Sequence, residues 1–540
     1  MANLRARPCE AETIRATRAA GNCAARAKPW VLLATILASS IANIDGAIVN
    51  VALPAIETDL AASATVVQWL VNAYTLCLSA LLLVGGAAAD QFGRRRFLIT
   101  GIGIFSAASL WCAASPSAAQ LIVARAVEGV GAALLIPCSL AIIGATFDEH
   151  ERGKAIGTWA GSAAVVTAIA PLLGGAIVDH CSWRWIFLIN PLLALPTIWI
   201  AYSHVPESRD PEAAPGLDWR GSLLVLLGLG GLAYGLIESP IAGWGDPIVL
   251  ASIVAGLALL AAFFWVERQV RTPMLPLALF RSVTFSAVNL LTLLLYAALG
   301  GVFFFLPFAL IQVHGYPATL AGVAFLPFTI IMAALSRWAG GLLDRFGARP
   351  PLIVGPAIAA FGFGLLAATV ARGSYWEFLA CVTIAGLGMV VTVAPLTTTV
   401  VDAVPTNQVG VASGINNAVA SVADLLAVAM LGAVALAILN QALDHHLQGE
   451  AFSEDVRHAI RAARGQLVIG PAIAGLEGVD RSTAEMIITG SLAQSIRWVM
   501  LIAAALALGA AAAGALIPGR PRLSARGPDQ QSAGKRSRAP

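Results

Sequence analysis

Four charged side chains stand inside long apolar stretches of this sequence: Asp45 in IANIDGAIVN, Arg125 and Glu128 in LIVARAVEGV, and Asp424 in ASVADLLAV. A charge surrounded by apolar residues is costly to hold, so each needs a partner, a wet cavity or a proton that comes and goes. The chemistry open to such residues is reversible protonation. A carboxylate withdrawn from water holds its proton more firmly, so it can load on one side and unload on the other while a second solute competes for the charged form. Arg125 and Glu128 are three residues apart and share a helical face. Counted from the helix ends, Asp45 and Glu128 lie some eight and seven residues from the outer surface, very roughly 10–12 Å at helical rise, so the three charges can share one depth. Plainer readings stand beside this one. Asp45 could be satisfied by neighbouring helices, Arg125 and Glu128 could simply neutralise each other, and Asp424 is equally open between a role and a satisfied place. Asn50, Asn416 and Asn417 are cavity-lining or helix-bridging polar groups, the last two reading more as interhelical glue.

The elements that must position these residues are membrane helices. The chain has 540 residues, 58% hydrophobic and 12% charged, with a mean hydropathy of +0.80, which excludes an ordinary soluble domain. Windows of about 20 apolar residues place spans near 30–53, 67–89, 97–115, 120–143, 155–178, 185–204, 221–237, 248–266, 284–311, 318–338, 352–371, 376–400, 411–438 and 497–518. The fold class is therefore an all-α polytopic membrane protein of about fourteen helices.

Lys and Arg concentrate in both tails and in alternate loops. The opposite loops hold Arg184, Arg372, Arg457, Arg461, Arg464, Arg481 and Arg497. That bias puts both termini in the cytoplasm and favours an even number of spans. The net charge of +3 then reflects orientation, and no nucleic-acid partner is expected. The cysteines are scattered without metal-ligand spacing, and the His445–His446 pair lacks further ligands in register, so neither a metal nor a disulfide framework is expected. The first apolar run is too long for a signal peptide and lacks a clear cleavage site, so it reads as a span that stays.

One short stretch orders the rest. GGAAADQFGRRR, from Gly85 to Arg96, is a charged turn between two apolar runs and reads as a cytoplasmic gate. Gly86 lets backbones approach, Gly93 allows a turn closed to other residues, and Asp90 can face Arg94 or a helix N-terminus. GGLLDRFGAR, from Gly340 to Arg349, repeats the order with Asp344, Gly347 and Arg349, which implies an internal repeat. The polar, proline-rich PESRDPEAAPGLD is the best linker in the chain. The expected organisation is a basic tail (1–29), a six-helix bundle (30–204), a linker (205–220), an inserted helix pair (221–266), a second linker (267–283), a six-helix bundle (284–518) with an outer loop at 440–496, and a basic tail (519–540). Within that loop SEDVRHAIRAAR could form a surface helix, and the loop could cap the outer opening.

The GxxxDxxGRRR turn resembles the loop signature of the major facilitator superfamily, and its weaker second copy fits the other half. IANIDGAIVNVALPAI resembles the first-span signature of the fourteen-span drug:proton antiporters, here Asp45, Val49, Asn50, Ala52, Leu53 and Pro54. Arg125 and Gly129 match that family's fourth-span pattern, whereas Glu128 adds an acid the common pattern lacks. Gly161, Pro171, Gly174 and Gly175 form a small-residue and proline face that permits close helix contact and a bend; APLLGG within it is similar to the fifth-span signature of the antiporting branch, with Ala170 where glycine usually precedes the proline. SWRWIFLINP is similar to the same place in that family and supplies an aromatic belt. The resemblance does not explain Asp424.

It implies two pseudo-symmetric six-helix bundles around a central cavity, and proton-coupled efflux of lipophilic drug-like or toxic compounds across the cytoplasmic membrane. Proton coupling would fall to Asp45, Arg125, Glu128 and Asp424. No enzyme activity and no cofactor are expected, the proton gradient being the driving force; partners are lipophilic substrates, protons and membrane lipid, and the chain is expected to work as a monomer. The alternatives are a membrane sensor or binding protein that does not transport, or an exporter of one metabolite. Counterflow of a dye in proteoliposomes separates transport from sensing.

Overall fold

The computed structural model describes residues 27–210, 216–270, 273–405, 408–449 and 452–518, without the side chains at 149, 150, 164, 336, 337, 344 and 449. Most of both basic tails lies outside these residues. The first six helices are α1 (Lys28–Asp59), α2 (Ala64–Phe92), α3 (Arg94–Ala114), α4 (Ala118–Thr146), α5 (Glu149–His180) and α6 (Arg184–His204). Two more, α7 (Trp219–Ala242) and α8 (Pro247–Glu267), precede α9 (Val283–Phe308), which ends in a wider turn at Ala309–Val313. Helix α10 is broken into Ala318–Val323 and Leu326–Phe346, and is followed by α11 (Arg349–Thr369), α12 (Tyr375–Asp402), α13 (Val409–Gly449), the short α14 (Glu454–Ala462) and α15 (Gly478–Ala515). Fourteen of these helical segments are long and apolar enough to cross a membrane, as the hydropathy windows imply.

Local chemistry sets the starts. Ser63 caps α2 by accepting from the Val66 amide, Ser282 caps α9 by accepting from Phe285, and Ser374 with Glu377 forms a reciprocal capping box on α12, so amides that no carbonyl could reach are satisfied. Prolines 54, 137, 171, 356 and 395 lie inside helices, which tightly packed membrane helices tolerate.

In the first half, α4 packs against α2 and α3, while α1 packs against α5 and α6. In the second half, α11 packs against α12 and α15, α9 against α13 and α15, and α10 against α12. The halves meet along α2–α13, α5–α10 and α1–α9. The inserted pair packs on itself, and α7 lies against both α2 and α13. The end of the bundle that carries Arg94–Arg96 and Arg349 is termed the arginine end, and the opposite one the loop end.

Several expected boundaries move. The third span opens at Arg94 rather than near 97, so the gate turn is the single residue Gly93, at φ +125°. The loop expected at 440–496 is mostly helix: α13 runs on to Gly449 and α15 already starts at Gly478. Hydropathy windows measure only the part that suits lipid, whereas polar turns continue both helices beyond it. What remains between them holds α14, the surface helix anticipated in SEDVRHAIRAAR, and a tight turn at Gly470–Ile473.

Candidate functional site

Three of the four charges in apolar helices meet. Arg125 on α4 and Asp45 on α1 form an ion pair of 2.5 Å through Nη1, and the same nitrogen lies 2.6 Å from Glu128 Oε2. All three are buried to within 2% of full exclusion from solvent. The Arg125 guanidinium also donates through Nε to the Leu70 carbonyl at 3.2 Å and lies 4.5 Å from the Tyr74 ring centroid. The equal depth inferred by counting residues is therefore realised as direct contact. With every group ionised, two carboxylates and one guanidinium leave one negative charge, so charge balance leaves room for one proton.

Helices α3 and α6 complete the cluster with residues the sequence reading did not single out. Asn190 Nδ2 donates to Asp45 Oδ1 at 3.2 Å and to Ser109 Oγ at 3.1 Å. Ser109 donates to Glu128 Oε1, and Cys112 Sγ lies 3.7 Å from Glu128 Oε2. Ser109 and Cys112, three residues apart, face α4 together. Asn190 sits in FLINP, which reads from sequence as part of an interfacial aromatic belt; an uncharged amide there carries no signal beyond its polarity.

Arg125 also reaches a cavity of about 310 Å³ shared by both halves. Gly46, Asn50, Tyr74 and Thr75 line it from the first half, and Tyr296, Phe303, Phe304, Ser421 and Asp424 from the second. Most of this surface is apolar or aromatic, with a few polar groups at fixed points, which suits a bulky apolar ligand. Asp424 stands apart from the other charges. It packs on Gly300 of α9, where a Cβ would fall 3.3 Å from the Asp424 Cα, and it has no hydrogen-bond or ion-pair partner among the described residues.

Of the three asparagines, Asn50 alone lines this cavity. Asn416 instead bridges α13 to α9, donating to Asn289 Oδ1 at 3.1 Å and to Thr292 Oγ1 at 2.7 Å. Of its two readings, cavity lining and interhelical glue, Asn416 takes the second. Asn417 is exposed on α13, two turns from Asp424 on the same face.

At the arginine end, Arg94 Nε lies 2.7 Å from Asp90 Oδ1 across Gly93. Glu207 joins them: it accepts from the Arg95 amide at 3.0 Å and pairs with the Arg95 and Arg96 side chains at 3.8 and 3.6 Å. The stretch read only as a linker therefore begins by clamping the turn. A Cβ at Gly86 would make only an ordinary 3.4 Å contact with Pro137, whereas one at Gly85 would lie 3.0 Å from the Ala133 carbonyl carbon. The close approach assigned to Gly86 belongs to Gly85. In the second copy, Gly347 takes φ +78° and Arg349 opens α11 with no ion pair among the described residues; the Asp344 side chain lies outside them.

The expected contact face of α5 divides in two. At the loop end, Gly174 fits against Ile48 of α1, and Gly175 fits against α10, where a Cβ would stand 2.7 Å from the Thr319 Cα. Gly322 of α10 fits in turn against Pro171. Nearer the arginine end, Gly157 and Gly161 of α5 and Gly340 and Gly341 of α10 have no heavy atom of the described residues within 4 Å of a built Cβ. Gly161 therefore borders open space and is not part of the contact. Helices α5 and α10 are locked together at the loop end, and these four glycines lie outside that contact.

Two carboxylates of the first half tighten that loop-end closure. Asp179, in the last turn of α5, accepts from the Ala318 amide at 3.0 Å and from the Thr319 amide and hydroxyl at 2.7 and 2.6 Å. Glu57, near the end of α1, accepts from the Leu467 and Val468 amides at 2.9 and 3.2 Å. The segment after α14 thus folds over the loop end, where Gly465 also accepts from the Ala64 amide at 3.0 Å.

Comparison with known proteins agrees with this architecture. Residues 35–428 match the family described as the Major Facilitator Superfamily. The chain is similar to a multidrug resistance protein of Mycobacterium tuberculosis (strain CDC 1551 / Oshkosh), at 32% identity over 436 residues and 81% of each chain. A puromycin resistance protein of Streptomyces alboniger is 35% identical over 473 residues, 86% of this chain and 93% of the relative. In fold the chain is similar to the inward-facing, unoccupied structure of a bacterial homologue of the human lysosomal transporter Spinster, with a TM-score of 0.65, 17% identity, and 91% and 98% of the two chains covered.

Proposed function

This chain belongs to the Major Facilitator Superfamily, and we propose that it exports lipophilic, drug-like or toxic compounds across the cytoplasmic membrane in exchange for protons. The observation that carries this reading is the junction of two unlike sites at Arg125: a buried cluster with room for one proton and a mostly apolar cavity lined by both halves. Relatives with resistance names over most of the chain support drug-like cargo.

The arginine end is the cytoplasmic one on the positive-inside rule, which also puts both termini there. The loop-end contact of α5 and α10 does not extend to Gly157, Gly161, Gly340 and Gly341, so cargo enters from the cytoplasm or the inner leaflet. Rocking of the halves would then break the loop-end contacts and turn the cavity outward, where cargo leaves and a proton loads. Asp45, held by Arg125 and Asn190, is the leading carrier; Glu128 shares its cation, and Asp424 is the competing carrier across the cavity. No cofactor enters this scheme, and a single chain in lipid contains every group it uses.

The test is made in everted membrane vesicles holding a respiration-generated pH gradient. Adding ethidium should discharge part of the gradient only when the protein is present, and should drive dye into the vesicles. Vesicles in which the dye neither moves nor discharges the gradient refute the antiport reading.

The arginine-end turn gives a further expectation. Asp90→Asn removes the charge that Arg94 meets at 2.7 Å, a contact of the charge-assisted kind, and should slow export about tenfold at unchanged protein level. Asp344→Asn should do less, since its turn lacks the triple arginine. Dye efflux rates normalised to membrane protein check both; wild-type efflux by Asp90→Asn removes the gate role.

A further inference from the structure

On α2, Gln68 and Asn72 lie one turn apart, both wholly buried, and none of their four side-chain oxygen and nitrogen atoms has a hydrogen-bond partner among the described residues. They stand between the halves. The Gln68 amide presses on Gly432 of α13, where a built Cβ would fall 2.8 Å from Nε2. Towards the cavity the same helix continues with Thr75, which lines it, and Ser79. Around them, the polar groups that seal the loop end are paired: Asp179 with Thr319, Glu57 with Leu467 and Val468, and Gln312 with the Ile469 amide.

Two buried amides left unpaired are a standing cost to this state. Apolar residues of similar size would seal the α2–α13 seam more cheaply, so the cost has a reason only if another state uses the amides. Motion of the halves separates α2 from α13 at the loop end and uncovers Gln68 and Asn72 as the outward continuation of the polar line through Thr75. We propose that they form a subsite of the outward-open state, which hydrogen-bonds uncharged donor and acceptor groups of the cargo as it leaves. Amides offer both donors and acceptors and no charge, so the subsite suits amine N–H, hydroxyl and carbonyl groups. The proposal rests on the export reading and adds which cargo the release half distinguishes.

Two lipophilic cations of equal charge separate the outcomes: ethidium, with aryl amine donors, and tetraphenylphosphonium, with none. In proteoliposomes of the full chain, Gln68→Met and Asn72→Leu should each raise the KM for ethidium roughly fivefold, the order of one lost uncharged hydrogen bond, and leave tetraphenylphosphonium within about twofold. If both cations change together, the amides act only on the conformational balance and the subsite is refuted; no change for either refutes it equally. Accessibility gives a second readout. Gln68→Cys in a Cys181→Ser background should react with a membrane-impermeant maleimide from the outer side, faster under an inward proton gradient, and ethidium should protect it. A Gln68→Cys chain that stays unlabelled in every condition overturns the proposal whether or not the wild type transports, whereas a wild type that moves neither cation, beside a Gln68→Cys chain that does label, fails the export reading and leaves the outward exposure of position 68 in place.

Discussion

Asp45→Asn should abolish uphill export driven by a pH gradient, a loss of about a hundredfold or more for removing an obligatory proton carrier, while downhill exchange of dye continues. The amide keeps the shape of the carboxylate, and its single oxygen can still accept from Arg125, which meets Asp45 Oδ2 at 2.5 Å; only the 3.2 Å bond from Asn190 to Oδ1 is given up, so folding should survive. Dye accumulation with and without an imposed gradient, and counterflow without one, separate the two activities. Asp424→Asn is the matched control from the other side of the cavity. If Asp45→Asn still concentrates dye and Asp424→Asn does not, the carrier lies on α13. The neighbours give a finer check: Arg125→Ala removes a positive neighbour and Glu128→Gln a negative one, so the pH profiles of export should move in opposite directions.

Gly175→Ala should damage export strongly. Its Cβ would stand 2.6 Å from the Ala318 carbonyl carbon and 2.7 Å from the Thr319 Cα, and a backbone cannot turn aside as a side chain can. Overpacking at such a contact costs about 1–3 kcal/mol, charged here to the loop-end-closed state alone. Export should fall roughly tenfold, while outer-side labelling of Gln68→Cys in the same chain rises. Gly161→Ala, with open space beside it among the described residues, should label as the parent Gln68→Cys chain does. Equal labelling in the two glycine variants would mean that the α5–α10 contact does not set the conformational balance.

Fourteen long apolar segments and a repeated arginine turn were readable because hydrophobic length and positive charge are properties of single stretches. The Asp45–Arg125–Glu128 contact was readable too, since helical rise converts residue counts into depth. What could not be read depends on partners without a sequence signature. Asp179 and Glu57 are ordinary acids at helix ends until their partners are seen to be backbone amides of the other half. Glu207 lies in a linker by composition, and its role comes from lying against Gly93, where a built Cβ would fall 2.7 Å from its Oε1. Gly161 and Gly175 look alike in sequence, yet a Cβ built on the first meets no heavy atom of the described residues within 4 Å and one on the second meets a backbone, because the α5–α10 contact does not reach both.

The inserted helices give the molecule two unlike flanks. Helix α7 lies along the α2–α13 seam, with Gly230 against Leu76 and Ala233 and Ile237 buried beside Ala429, and α8 stands outside it with only 17% of its apolar window buried. A molecule dissolved in the bilayer meets a double wall there. On the other flank no helix covers the α5–α10 line, and no heavy atom lies within 4 Å of a Cβ built at Gly157, Gly161, Gly340 or Gly341, among the described residues. On the export reading, a lipid-borne compound would therefore meet the α5–α10 flank before the inserted pair.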